Sequence, residues 1–323
     1  EFRRVLFRSI DALMLSLRGI AANSVDAAAI EAATKALADG TEVIVKIRRP
    51  GIETTIESDL RLLARLAAMA DAQMPALRPY RPQQLVRELA RSLKRELDLA
   101  AECHNAERMA KNLAALPDIV IPRVHWAYTK KRINVQDFIA GVAGSDLVRL
   151  DAEGFDRTLL AKRGAHAVLK MIVEDGFFHA DPHPGNVFYL PVNRVAFIDF
   201  GMVGRLSEAR RFEVATLMHG LVGRDAGKVA DVLLDWSADS NGDAEALRSE
   251  IEAFVDQYHD TPLASLSLGG MLGDVTAILR EHHLALPSDL ALLIKAFISL
   301  EGMGRGLDPN FHMASEALPL LRQ

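Results

Sequence analysis

The clearest pattern in the first half of the chain is the alternation over Thr41–Ile47 (TEVIVKI), which predicts a strand. Val43, Val45 and Ile47 share one of its faces, and Ile44 and Lys46 the other. Arg49-Pro50-Gly51 ends it, after which Ile56, Leu60, Leu63 and Ala67 recur at helical spacing. Leu85, Leu89, Leu93 and Leu97 form an i,i+4 stripe expected to face inward on one long helix from about Pro82 to Leu116, stopped by Pro117. Upstream, alanine-rich Asp11–Ala38 reads as helix, with Ser24 as a cap and Asp39-Gly40 as a turn. Strands near Pro122–Tyr128 and Arg132–Phe138, joined by the polar turn Thr129–Lys131, complete a mixed half, with Trp126 and Tyr128 on the sheet or in the core.

Gly141 and Gly144 mark an expected linker. A helix is predicted from about Gly154 to Asp175, with Gly176 as its left-handed cap. The loop HADPHPGN (His179–Asn186) follows, then strands at Val187–Leu190 and Arg194–Asp199. From Ser207, placed to cap a helix, almost everything reads as helix. The expected organisation is an α+β chain with a small mixed lobe over 10–140, incomplete at its start, and a mostly helical lobe over 141–323. Residues 1–9 (EFRRVLFRS) read as a non-native or disordered leader and are set aside.

Composition narrows the classes. Half of the 323 residues are hydrophobic and 25% are charged, which excludes wholesale disorder. Cys103 is the single cysteine, so an internal disulfide is excluded. A formal net charge of −5 argues against a general nucleic-acid-binding surface. The most apolar stretch, Leu284–Leu300, is interrupted by Ser288, Asp289 and Lys295, so no membrane-spanning helix is expected.

The chemistry concentrates in Phe177–Gly201. It combines H-x-D at His179 and Asp181, Asn186 five positions after that Asp, a hairpin, and Asp199-Phe200-Gly201. Phosphoryl transfer needs these residue types: an Asp near the attacking hydroxyl, and an Asn and a second Asp as hard oxygen ligands for magnesium. A kinase catalytic loop and its D-F-G have this arrangement. Singly, each piece also reads as ordinary turn or cap chemistry; the joint spacing is what discriminates. Lys46, inside an apolar strand, fits either an edge lysine that discourages aggregation or a lysine contacting nucleotide phosphates and paired with a helix glutamate. Glu88, Glu96 and Glu102 are the candidate partners, and Asp98 and Glu102 are expected to share a helix face.

With these residues in view, the sequence resembles the UbiB/AarF/ADCK family of atypical, protein-kinase-like proteins. The resemblance rests on Val45–Ile52 (VKIRRPGI), Glu96–Arg108 (ELDLAAECHNAER), His179–Asn186, Asp199–Gly201 and the tail from Leu286 to Leu318. It implies a bilobal protein-kinase-like fold with the ligand site between the lobes, and ATP and Mg2+ as cofactors. Lys46 would contact phosphate, Glu102 would be its partner, and Glu96 and Asp98 would form the family's E-x-D motif. Asp181 would be the catalytic-loop aspartate, and Asn186 and Asp199 the metal ligands. Gln136, Asp137, Phe138 and Ile139 would offer backbone groups to adenine. His179 would brace the catalytic loop, and His183 would be a family-specific contact. Implied partners are a nucleotide, quinone-precursor lipids and ubiquinone-pathway proteins, with a cytoplasmic location in peripheral contact with an inner membrane.

The sequence also departs from the family. A K-x-G-Q extension, an A-Q-V-H-like loop over the phosphates and a C-terminal membrane-spanning pair are not found, so a chain truncated at both ends is expected. Only Gly19 and Gly40 precede Lys46, so there is no glycine-rich cradle. The leading expectation is therefore an ATPase, or a kinase acting on a small or lipid-linked substrate, that supports ubiquinone biosynthesis or membrane-lipid homeostasis. The alternative is a pseudokinase scaffold that binds nucleotide or pathway proteins without turnover. A hydrolase with a transition metal on His179, Asp181 and His183 is a third reading, which leaves Lys46, Asn186 and the D-F-G unexplained.

Overall fold

The computed structural model describes residues 3–6, 41–49, 51–74, 82–236, 244–258, 267–282 and 288–321. The predicted helix Asp11–Ala38 lies outside the described residues. In chain order the elements begin with β1 (Arg3–Leu6), β2 (Val43–Ile47), α1 (Ile52–Gln73), α2 (Pro82–Glu96), α3 (Leu99–Asn112), β3 (Ile119–Val120), β4 (Ile133–Asp137) and β5 (Val142–Ala143). They continue with α4 (Leu147–Ala152), α5 (Arg157–Val173), β6 (Phe177–His179), β7 (Val187–Leu190), β8 (Arg194–Phe197) and β9 (Val203–Arg205). The helices α6 (Glu208–Gly223), α7 (Ala226–Trp236), α8 (Ala244–Gln257), α9 (Leu268–Glu281), α10 (Ser288–Leu307) and α11 (Met313–Leu321) complete the order. The fold is α+β. None of the described helices is long and apolar enough to cross a membrane.

The chain divides into two compact units. The first comprises residues 1–108, 122–139 and 199–201; the second comprises 109–121, 140–198 and 202–323.

In the first unit β1, β2 and β4 form an antiparallel sheet in that order. The strand predicted over Thr41–Ile47 is β2, and β1 shows that part of the leader set aside above pairs along its edge, with Arg4 opposite Lys46. Val43, Val45 and Val135 are fully buried. Gly51, at φ +78°, turns the chain from β2 into α1.

Four expectations fail here. The single helix foreseen over 82–116 is two helices, because Oδ1 of Asp98 accepts hydrogen bonds from the Ala100 and Ala101 amides (3.1 and 3.2 Å) and so starts α3 afresh. Asp98 therefore caps the helix that bears Glu102 rather than sharing a face with it. The leucine stripe does not all face inward, since Leu97 is buried whereas Leu85 and Leu89 are exposed. The strand expected over 122–128 reduces to one bridge, Val124 to Gln136, because 126–128 turns. Trp126 there donates to Glu107 and stacks on His104 at 4.3 Å.

In the second unit the sheet order is β3-β8-β7-β5, with β3 parallel to β8 and the other pairs antiparallel. The expected linker around Gly141 and Gly144 is instead β5 and its flanks. A Cβ at Gly141 would lie 2.7 Å from the Tyr189 carbonyl oxygen, and one at Gly144 would lie 2.8 Å from that of Pro184. These glycines permit close backbone approach rather than flexibility. Asp156 caps α5 by accepting from the Leu159 amide at 2.9 Å. Leu160, Ala165, Val168, Leu169 and Ile172 of α5 are fully buried, and the helix packs on α10 and α11. Ser207 caps α6 as the sequence predicts, whereas α5 ends at Val173 with Glu174 as its cap, and Gly176, left-handed at φ +57°, turns the chain into β6 beyond it.

Candidate functional site

The first unit gathers one group of predicted residues. Register places Lys46 of β2 opposite Asn134 and away from the face of Val43 and Val45. Its ammonium forms an ion pair with Glu102 of α3 and lies 3.5 Å from Oδ2 of Asp199. Lys46 and Glu102 are both buried, whereas the Asp199 side chain keeps 31% of its surface exposed. A buried lysine held by one carboxylate and close to a second, accessible one can present its charge to an anion without moving.

The glutamate is set by the start of its helix, and that start is anchored. Arg48 donates to the Leu97 carbonyl oxygen at 2.8 Å and to Glu53 at 2.9 Å, while Asp98 caps α3. Glu96 is the last residue of α2, and its side chain and that of Glu88 lie outside the described part. Asp199 sits at φ +65°, an uncommon conformation for a residue with a Cβ. The Phe200 carbonyl oxygen after it accepts from Asn105 of α3 at 3.0 Å, and the Phe200 ring is buried.

Cys103, next to Glu102, is fully buried. Burial, and then the Glu102 carboxylate, push its thiol up to about 12, against the opposing pull of Lys46. Of the segment expected to meet adenine, the Asp137 amide donates to the Arg123 carbonyl oxygen and the Phe138 amide to that of Glu42, both at 3.0 Å. Those two donors are used within the first unit. Gln136 is buried, and Phe138 and Ile139 are half-buried. His125 is 2.7 Å from Asp137.

The second unit carries the loop. His179, at the end of β6, accepts from the Asp181 amide through Nδ1 (3.1 Å), and its Nε2 meets the Ile198 carbonyl oxygen at 3.1 Å. Its ring thus ties the loop to the strand end that precedes Asp199 in the chain. With both ring nitrogens so occupied, His179 does not join Asp181 and His183 as a metal ligand. No cluster of three or more His, Cys, Asp or Glu suited to a metal occurs among the described residues.

His183 accepts from the Gly185 amide at 3.0 Å, and its Nε2 is 3.9 Å from Oδ2 of Asp181. Asn186 donates from Nδ2 to the Asp181 carbonyl oxygen (3.2 Å), while its own backbone oxygen accepts from the Ile198 amide (2.9 Å). The side-chain oxygen is what Asn186 has for a cation. An amide oxygen and the Asp199 carboxylate are hard donors of the kind magnesium prefers.

One residue near this loop was missed. Lys295 of α10 places Nζ 3.0 Å from Oδ1 of Asp181 and 3.6 Å from Sδ of Met202. Nothing in the local sequence of α10 marks it beyond a charge inside an apolar run.

Residues 15–233 match the ABC1 atypical kinase-like domain, and residues 251–312 match the UbiB helical domain. The probable protein kinase UbiB of Xylella fastidiosa (strain M12) is 30% identical over 98% of this chain and 58% of that protein. Its namesake in Xanthomonas axonopodis pv. citri (strain 306) is 31% identical over 87% of this chain and 52% of that protein. The chain thus spans about half the length of the curated relatives it matches. Rv3197 from Mycobacterium tuberculosis, solved with erythromycin, shares the fold, with a TM-score of 0.60 and 21% identity over 84% of this chain and 68% of that one. With the kinase-like domain matched over more than half of its length, this chain belongs to the UbiB-type ABC1 atypical kinase-like family.

Proposed function

We propose that this chain binds ATP with magnesium and hydrolyses it or transfers its terminal phosphoryl group to a small, lipid-linked acceptor. The observation that carries this reading is the buried Lys46, paired with Glu102 and 3.5 Å from Asp199. Lys46 contacts the phosphates while Glu102 keeps the amine in place. Asn186 and Asp199 would hold magnesium through oxygen, which would supply neutralising charge for the phosphates. Asp181 accepts the proton of the attacking hydroxyl, with the backbone ahead of it fixed by His179. Gln136–Ile139 borders adenine, and with two of its amides already bonded, it offers fewer donors than four residues suggest.

A small acceptor is favoured over a peptide. Residues 203–205 pair with β6 directly after the D-F-G, and Ser207 starts α6, which leaves little chain for a peptide-docking segment. The name of the relatives, UbiB, supports a place in ubiquinone biosynthesis, with quinone precursors and pathway proteins as partners and membrane contact at the periphery. A second reading, nucleotide binding without turnover, is favoured by the lack of an A-Q-V-H-like loop in Ala27–Gly40 ahead of Lys46.

The test is phosphate release from Mg-ATP by the full chain, with and without vesicles carrying a phenolic lipid precursor. Turnover that disappears in Asp199→Asn supports the enzyme. Binding without turnover under every condition supports the scaffold, and absence of nucleotide binding refutes both.

A further inference from the structure

The residue that the site chemistry has not absorbed is Lys295. It lies in α10, within the part of the chain that matches the UbiB helical domain, which contributes none of the residues assigned above. Yet its ammonium is 3.0 Å from Oδ1 of Asp181. Both side chains are accessible, at 48% and 27% of their surface, so the pair opens to solvent. Such pairs contribute little to stability in general, so stability alone gives this lysine little purpose. Its place is nonetheless defined: α10 packs on β9, and Nζ also rests 3.6 Å from Sδ of Met202, the residue that follows the D-F-G.

We infer that Lys295 is a positioning residue for Asp181, a role that rests on the phosphoryl-transfer reading proposed above. By occupying Oδ1, it fixes the rotation of the carboxylate and leaves Oδ2 to face the acceptor. His183, 3.9 Å from Oδ2, lines the same side. In the step served, the acceptor oxygen bonds to the terminal phosphorus while its proton passes to Oδ2 of Asp181. The bond from that phosphorus to the bridging oxygen breaks, and the nucleoside diphosphate leaves with the electron pair. A carboxylate free to rotate presents Oδ2 only part of the time, and small misplacements of a reacting group are costly in rate. The helical domain thereby acts on the chemical step while leaving nucleotide binding to other residues.

The experiment compares Lys295→Met, which keeps an unbranched side chain one atom shorter and uncharged, with Lys295→Arg, which restores a cation. Steady-state turnover of Mg-ATP is measured on the full chain, alongside the magnesium-dependent thermal shift with ATP. The expected result for Lys295→Met is a fall in kcat of about 10- to 100-fold, with KM for ATP and the thermal shift within about twofold of the parent and partial recovery in Lys295→Arg. An unchanged kcat in Lys295→Met overturns the inference. So does loss of the thermal shift together with kcat, which would mark a structural role, or a Lys295→Arg variant no better than Lys295→Met. A parent chain that turns over while Lys295→Met matches it refutes this role alone. A parent chain with no turnover overturns this role and the enzyme reading together, and one that also fails to bind Mg-ATP refutes the scaffold reading as well.

Discussion

Nζ of Lys46, already paired with Glu102, lies 3.5 Å from Oδ2 of Asp199. The two residues are 153 positions apart in sequence, and Asp199–Gly201 belongs to the same compact unit as β2 and Glu102 although the residues on either side of it do not. Three charged groups share the space, one of them open to solvent. That makes the pair informative about both stability and binding.

Removal of the amine alone strands a buried carboxylate. Lys46→Met is expected to destabilise the fold by about 3–5 kcal/mol, as for other buried pairs that lose one member. Adding Glu102→Gln should recover much of that loss, because the uncompensated charge is gone. Urea midpoints of the two single variants and the double variant measure this coupling, and additive losses would contradict it.

The backbone at Asp199 separates two substitutions. At φ +65°, asparagine is tolerated whereas a β-branched residue is strained. Asp199→Asn should leave thermal stability nearly unchanged while removing the magnesium-dependent effect of ATP. Asp199→Val should in addition lose about 1–3 kcal/mol. Equal melting temperatures for the two variants would argue against the strained geometry.

Gly144 gives a test of the loop from its far side. A Cβ there would stand 2.8 Å from the Pro184 carbonyl oxygen, a backbone atom that cannot swing aside. Gly144→Ala should cost about 1–3 kcal/mol and lower turnover more than Gly273→Ala, whose Cβ meets nothing within 4 Å. Thermal melts and initial rates on the same two variants decide it.

Cys103 makes stability depend on pH in the alkaline range. Its folded thiol is pushed up to about 12 from an ordinary value of 9.0, mainly by burial. Between those values the unfolded chain has released a proton that the folded chain retains, so stability falls as pH rises. The contribution is intact below about pH 9 and is lost at roughly 1 kcal/mol per pH unit above it. Tyr189, buried and also pushed up, adds to the same trend from about pH 10. Unfolding free energies from pH 8 to 10.5 should decline less steeply in Cys103→Ala than in the parent.

The sequence made the local features legible where one residue type has one structural use. Alternation marked β2, Gly176 adopts the left-handed backbone two residues past the Glu174 cap of α5, and Ser207 opens α6. The spacing from His179 to Asn186 and on to Asp199 marked the loop, and the resemblance supplied Glu102 as the partner of Lys46. What failed depended on one local cap and on tertiary contacts. Asp98 breaks a continuous helical pattern because its side chain, rather than its propensity, satisfies the new helix start. Gly141 and Gly144 read as a linker because the strand that crowds them lies more than forty residues later. Lys295 could not be found, since nothing local distinguishes it from a solvated charge and its partner is in a distant loop.

The most direct test of the account is the melting temperature of the full chain with ATP, with and without magnesium. Nucleotide at 100 times its dissociation constant should add about 2.7 kcal/mol of apparent stability. The account predicts that this gain requires magnesium and disappears in Asp199→Asn. A shift of the same size without magnesium, or none at all in the parent chain, would contradict it.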